Sequence, residues 1–103
     1  MDLPALQARL RQFADERDWP PFHTPKNLAM ALVVEAAELL EFFQWLSPEQ
    51  SAAAAADPVV RERIEDEVAD VLLYLAQLAD QTGIDIESAV ERKLVKNRLK
   101  HPA

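Results

Sequence analysis

Glu35 and Glu38 lie three residues apart in the stretch ALVVEAAELLEFF, and Glu67 and Asp70 repeat that spacing in IEDEVADVLLYLAQL. A helix turns about 100° per residue, so positions i and i+3 sit roughly 60° apart on one face. Each pair therefore presents two carboxylates side by side. Val33, Val34, Ala36 and Leu39 flank the first pair, and Val68, Val71 and Leu72 flank the second. Most acidic pairs at this spacing are solvated surface, but these flanks are apolar, and a clustered carboxylate without a partner is costly to bury. A hard divalent cation with oxygen ligands is the simplest neutraliser. Neither pair includes a His, which a di-iron carboxylate bundle would use, so magnesium or manganese suits the set. The spacing thus predicts a metal site between two helices, held by Glu35, Glu38, Glu67 and Asp70. Glu41, Glu65 and Asp66 read as ordinary outer-face charges.

The elements that must position these groups are marked by their caps. Asp2-Leu3-Pro4 opens a first helix with Leu3, Leu6, Leu10 and Phe13 as its apolar stripe. That helix should end near Asp18 or Trp19, ahead of Pro20-Pro21. Thr24-Pro25 opens a second helix expected to run to about Trp45. Ser47-Pro48-Glu49-Gln50 reads as a capping box before a short alanine-rich segment. Asp57-Pro58 starts a long third main helix that ends at Gly83, and Asp85 caps a last one from about Ile86 to Leu99. The expectation is an all-α bundle of four main helices in one domain spanning residues 1–103. So much apolar surface on so short a chain calls for a partner chain.

Composition sets the surroundings. Half of the 103 residues are hydrophobic and only one is glycine, which favours a helical globular chain over a disordered one. The chain has no cysteine, so disulfides, thiolate metal sites and cysteine nucleophiles are excluded and a reducing compartment fits. Carboxylates interrupt every long apolar run and no signal segment is evident, so neither a membrane span nor export is expected. A net charge of −7 opposes nucleic-acid binding, which rests on phosphate neutralisation. A cytoplasmic protein is the expected outcome.

Glu35-x-x-Glu38, 28 intervening residues and Glu67-x-x-Asp70 resemble the magnesium-binding signature of the MazG-like, all-α nucleoside triphosphate pyrophosphohydrolases, at the long end of the spacing in that group. FADERDWPPFHTPKNLAMAL, EAAELLEFFQW, DVLLYLAQLA and KLVKNRLKHP extend the likeness over nearly the whole chain, and they are similar to the dCTP pyrophosphatases within the family. The resemblance implies cleavage between the α and β phosphates, giving a monophosphate and pyrophosphate. It implies that the four carboxylates hold Mg2+, with Mn2+ as a possible substitute, and assemble the catalytic centre. It also implies a homotetramer with pockets shared between chains, or else a homodimer. A dUTP-type or broader pyrophosphatase is the nearest alternative activity. A non-catalytic helical interaction module is the alternative from another class.

A nucleobase needs recognition beyond the metal. Trp19, Phe22, His23, Trp45 and Tyr74 are the candidates, since aromatic stacking on a base contributes about 1–3 kcal/mol. Tyr74 lies one turn beyond Asp70 on the same helix face, although packing is an equal reading for Trp19, Trp45 and Tyr74. The resemblance places Phe22-His23 in a substrate loop. Lys93 and Asn97 share a face at i,i+4 and are implied triphosphate contacts, with Lys26 and Asn27 as weaker candidates. The alternative for the basic tail is favourable placement of cations at a helix C-terminus. In one respect the chain departs from the pattern: Leu10 stands where mammalian dCTP enzymes carry a His, which bears on cytosine preference rather than on the reaction class.

Overall fold

In the computed structural model, which describes residues 1–103, every helix begins where a cap can satisfy its first free N–H groups. The Asp2 carboxylate accepts from Ala5 N–H at 3.0 Å and so opens α1, Leu3–Asp15. Thr24 Oγ1 accepts from Asn27 N–H at 3.2 Å at the start of α2, Pro25–Glu41. At α3, Pro48–Ala53, both bonds of the capping box form: Gln50 N–H donates to Ser47 Oγ, and Ser47 N–H donates to Gln50 Oε1. Asp57 accepts from Val59 and Val60 ahead of α4, Pro58–Thr82, and Asp85 accepts from Ser88 ahead of α5, Ile86–Lys100. Short 3-10 turns occupy Pro20–Phe22 and Ala54–Ala56, and there are no strands.

Two helices stop earlier than their composition suggests. α2 ends at Glu41, not near Trp45, because Phe42, Phe43 and Leu46 donate to carbonyls three residues back and tighten the chain into successive turns. α1 ends at Asp15, not at Asp18 or Trp19. There Trp19 N–H donates to Ala14 O at 3.0 Å and Asp18 N–H to Asp15 O at 3.2 Å. This is the Schellman arrangement, which needs a left-handed residue where the chain leaves the helix; Asp18, at φ 56°, supplies it. Gly83, at φ 68°, closes α4 by the same pair of bonds, from Ile84 to Ala79 and from Gly83 to Asp80. Asp is among the few side chains that tolerate this backbone region.

Packing is concentrated on one pair. α2 lies along α4, α1 touches α4, and α5 projects with little contact to the other helices. The α1–α4 contact is secured by polar bonds: Gln7 Nε2 donates to Ala76 O at 2.9 Å, and Arg11 meets Asp80 at 2.6 Å. Only Ala14, Leu28, Ala76 and Ala79 are fully buried. The radius of gyration is 16.5 Å, against about 13 Å for a compact chain of this length. A single chain therefore holds its α2–α4 pair together without closing the expected bundle around a core.

Candidate active site

The α2–α4 pairing decides which acidic groups meet. Glu35 and Glu38 point from α2 and Glu67 from α4, and an oxygen from each lies within 4.8 Å of the others. All three are half-buried. Glu35 Oε2 and Glu67 Oε2 are buried atoms without a hydrogen-bond donor. Buried polar oxygens are normally paired, so two orphaned oxygens on members of a three-carboxylate group fit a cation. An all-oxygen anionic donor set fits Mg2+ or Mn2+, so the residues present match the metal that the motif implies. Asp70 stands one turn beyond Glu67, half-buried and outside this three-oxygen group. Glu65 faces outward and pairs with Arg61 at 3.0 Å, and Glu41 and Asp66 are exposed.

Crowding raises the proton affinity of the group. The nearby Glu67 carboxyl holds the Glu38 pKa above the ordinary carboxylate value, with partial burial and Glu41 adding to the effect and Glu35 opposing it. Glu35 does the same for Glu67, helped by burial and by the charge of Asp70, with Glu38 opposing. A carboxyl whose pKa is raised on folding binds more protons in the native state than in the unfolded one. Without metal, stability should therefore fall as pH rises from about 4.5 through the raised values, where these groups must ionise beside each other. Saturating Mg2+ should flatten that fall. Thermal melting from pH 4.5 to 8, with and without Mg2+, measures both; equal slopes would mean that the cation does not bind among these carboxylates.

The aromatic candidates divide into separate groups. Trp19 and His23 come together across the Pro20–Phe22 turn with ring centroids 5.8 Å apart, and Trp19 also meets the Phe13 ring edge-on at 5.6 Å. Phe22 is exposed on that turn, and its carbonyl accepts from Asn27 Nδ2 at 3.0 Å, which ties the turn to the start of α2. Beside His23 a cleft of about 110 Å³ is lined by Gln7, Leu10, Arg11, Gln77 and Gln81 among others. Tyr74 is half-buried on α4, and Trp45, 87 % exposed, stands beyond the end of α2. Lys93 and Asn97 are exposed on the projecting α5, and no ion pair or side-chain hydrogen bond joins them to the carboxylates. Sequence reasoning passed over Arg17, whose guanidinium lies 3.4 Å from the Phe13 ring centroid. The signal was present, since Phe13 and Arg17 stand at i,i+4.

A family model described as the MazG-like family matches residues 30–103, a span that includes all four carboxylates of the motif. The chain belongs to the MazG-like family. Among its relatives, the dCTP pyrophosphatase 1 of Rattus norvegicus is 44 % identical over 91 residues, which make up 88 % of this chain and 54 % of the rat protein. That of Homo sapiens is 42 % identical over 92 residues, 89 % of this chain and 54 % of the human protein. The chain thus spans about half the length of these relatives. A crystal structure of a pyrophosphatase from Archaeoglobus fulgidus DSM 4304 superposes with a TM-score of 0.85 at 42 % identity, covering 100 % of this chain and 94 % of that one.

Proposed function

We propose that this chain is a magnesium-dependent nucleoside triphosphate pyrophosphohydrolase, acting on dCTP or a modified deoxynucleoside triphosphate in nucleotide-pool house-cleaning. The observation that carries the reading is the carboxylate group of Glu35, Glu38 and Glu67, with two buried oxygens lacking any partner. Its MazG-like membership and its likeness to dCTP pyrophosphatases support the substrate class. Bound Mg2+ would neutralise phosphate charge and activate water for attack at the α phosphate. Glu35, Glu38, Glu67 and Asp70 would hold the cation, and either Glu35 or Glu38 would instead serve as the base that orients the attacking water by accepting its proton. Trp19, Phe22, His23, Trp45 and Tyr74 face the nucleoside, while Lys93 and Asn97 take phosphate oxygens. The reaction class has a direct test. With Mg2+ and dCTP, phosphorus NMR should record dCMP and pyrophosphate in equal amounts and no orthophosphate. Orthophosphate as the first product would remove the assignment.

The same reading includes a homo-oligomer, a tetramer or at least a dimer, in the cytoplasm. No helix is long and apolar enough to cross a membrane. The isolated chain exposes 7898 Å², roughly 2000 Å² more than a folded monomer of its mass should. An excess of that size is what obligate subunit contacts cover. Val33 and Val34 on α2, Val68 and Leu75 on α4, and Val90 and Leu94 on α5 are all exposed. Lys93 borders an apolar groove formed with Leu75, Leu78 and Val90, so a partner seated there would surround the phosphate-binding candidates. Sedimentation should give a mass of at least twice 11.6 kDa. A monomer at micromolar concentration would refute the shared-pocket part of the reading.

A further inference from the structure

The face of α1 that leads into the Pro20–Phe22 turn carries a stack outside the carboxylate group. The Arg17 guanidinium carbon lies 3.4 Å from the centroid of Phe13 and 6.0 Å from that of Trp19. Arg17 Nη1 donates to Phe13 O at 3.0 Å and lies 3.6 Å from Glu16 Oε2. Phe13 meets Trp19 edge-on at 5.6 Å with a 67° interplanar angle, and Trp19 meets His23 at 5.8 Å. A cation at the end of α1 would by itself only satisfy helix carbonyls. Here the same side chain also covers an aromatic ring, and that ring supports the next.

Phe13 and Trp19 are 47 % and 42 % exposed, so no core sets their ring orientations. Local neighbours must. The left-handed Asp18 and the Trp19 N–H bond to Ala14 O set the backbone course of Trp19. In the Schellman arrangement the residue after the left-handed position packs on the last helical turn, and Phe13 is the residue that receives Trp19. Arg17 then holds Phe13 by a cation–π contact, its guanidinium carbon 3.4 Å from the ring centroid, which Lys reproduces poorly.

We propose that Arg17, acting through Phe13, is a positioning residue that fixes the Trp19 ring for stacking on the substrate base. This rests on the reading that Trp19 meets the nucleoside. Arg17 itself touches neither phosphate nor metal in this role, so its loss should weaken binding and spare the chemical step.

Steady-state kinetics with dCTP and Mg2+ on the full chain test it, using Arg17→Met, Arg17→Lys, Trp19→Ala and the double variant R17M/W19A. Arg17→Met should raise KM about two- to fivefold, the range a surface cation–π contact supplies, with kcat and the melting temperature essentially unchanged. Arg17→Lys should fall between Arg17→Met and the native chain. Trp19→Ala should raise KM further, and Arg17→Met should add nothing in that background. In a Trp45→Phe background, where Trp19 is the remaining tryptophan, acrylamide should quench its fluorescence more strongly once Arg17 is Met. If Trp19→Ala raises KM while Arg17→Met does not, or if the two effects add, the positioning role is overturned and the stacking role of Trp19 stands. An unchanged KM in Trp19→Ala overturns both. A parallel drop in kcat and melting temperature for Arg17→Met makes the stack structural and also overturns the proposal.

Discussion

Replacing Glu67 by Gln should abolish turnover, by at least about 100-fold, while the helical circular dichroism is retained. Even a residue that only orients a metal ligand typically costs 10- to 100-fold, and Glu67 is the one member of the three-carboxylate group supplied by α4. Removing it also separates the two helices' shares of the site. The metal-free variant should melt no lower than the native chain, because Glu35, partial burial and the charge of Asp70 hold the Glu67 pKa up, and Gln removes the cost of ionising it there. Isothermal titration with Mg2+ should lose its heat signal together with the activity. Asp70→Asn probes the second half of the motif separately: Asp70 lies outside the group, so its loss of activity would show that it joins once the cation binds. Turnover at the native rate in Glu67→Gln would remove the metal-centred mechanism.

Leu28→Ala should be the most damaging change away from the carboxylates. Leu28 is the one large side chain that is fully buried, at 1 % exposure, and its own N–H bonds back to Thr24 O at 2.9 Å in the first turn of α2. Truncating a buried leucine costs about 2–5 kcal/mol, because the cavity collapses only in part. For a domain of this size that lowers the melting temperature by more than about 8 °C. Val33→Ala is the contrasting variant, since Val33 is 67 % exposed on the same helix. It should be nearly silent in an isolated chain, so a large and concentration-dependent effect would place Val33 in a subunit contact. A shift of only a degree or two in Leu28→Ala would mean that the stability of this chain resides in its contacts with other chains.

The helix starts were legible in the residues, and so was the pairing of acidic groups within each of two helices. Asp2, Thr24, Ser47, Asp57 and Asp85 each cap the helix that follows, with Pro in the first turn of four of them, and Gly83 closes α4 in the left-handed region. These are local decisions, taken between groups two to five residues apart, so residue order suffices to read them. The same holds within each acidic pair, where helical pitch alone puts i and i+3 on one face. Helix ends were less legible. Asp18 has no glycine-like signature in composition, yet its left-handed backbone ends α1 early and aims Trp19 at Phe13.

What residue order left open depends on how the helices rotate against one another. Two acidic pairs at matching spacing give no rule for which oxygens converge; the packing of α4 on α2 brings Glu67 to Glu35 and Glu38 and leaves Asp70 a turn away. The stacking of Arg17 on Phe13 likewise needed a rotamer, not only an i,i+4 interval. α5 shows the contrast in one element. Its cap and length follow from Asp85 and the run that it opens, whereas its sparse contact with the other helices is set by the tertiary arrangement. Local hydrogen bonding determined the helices of this protein. The burial of long-range apolar surface decided which of their faces meet.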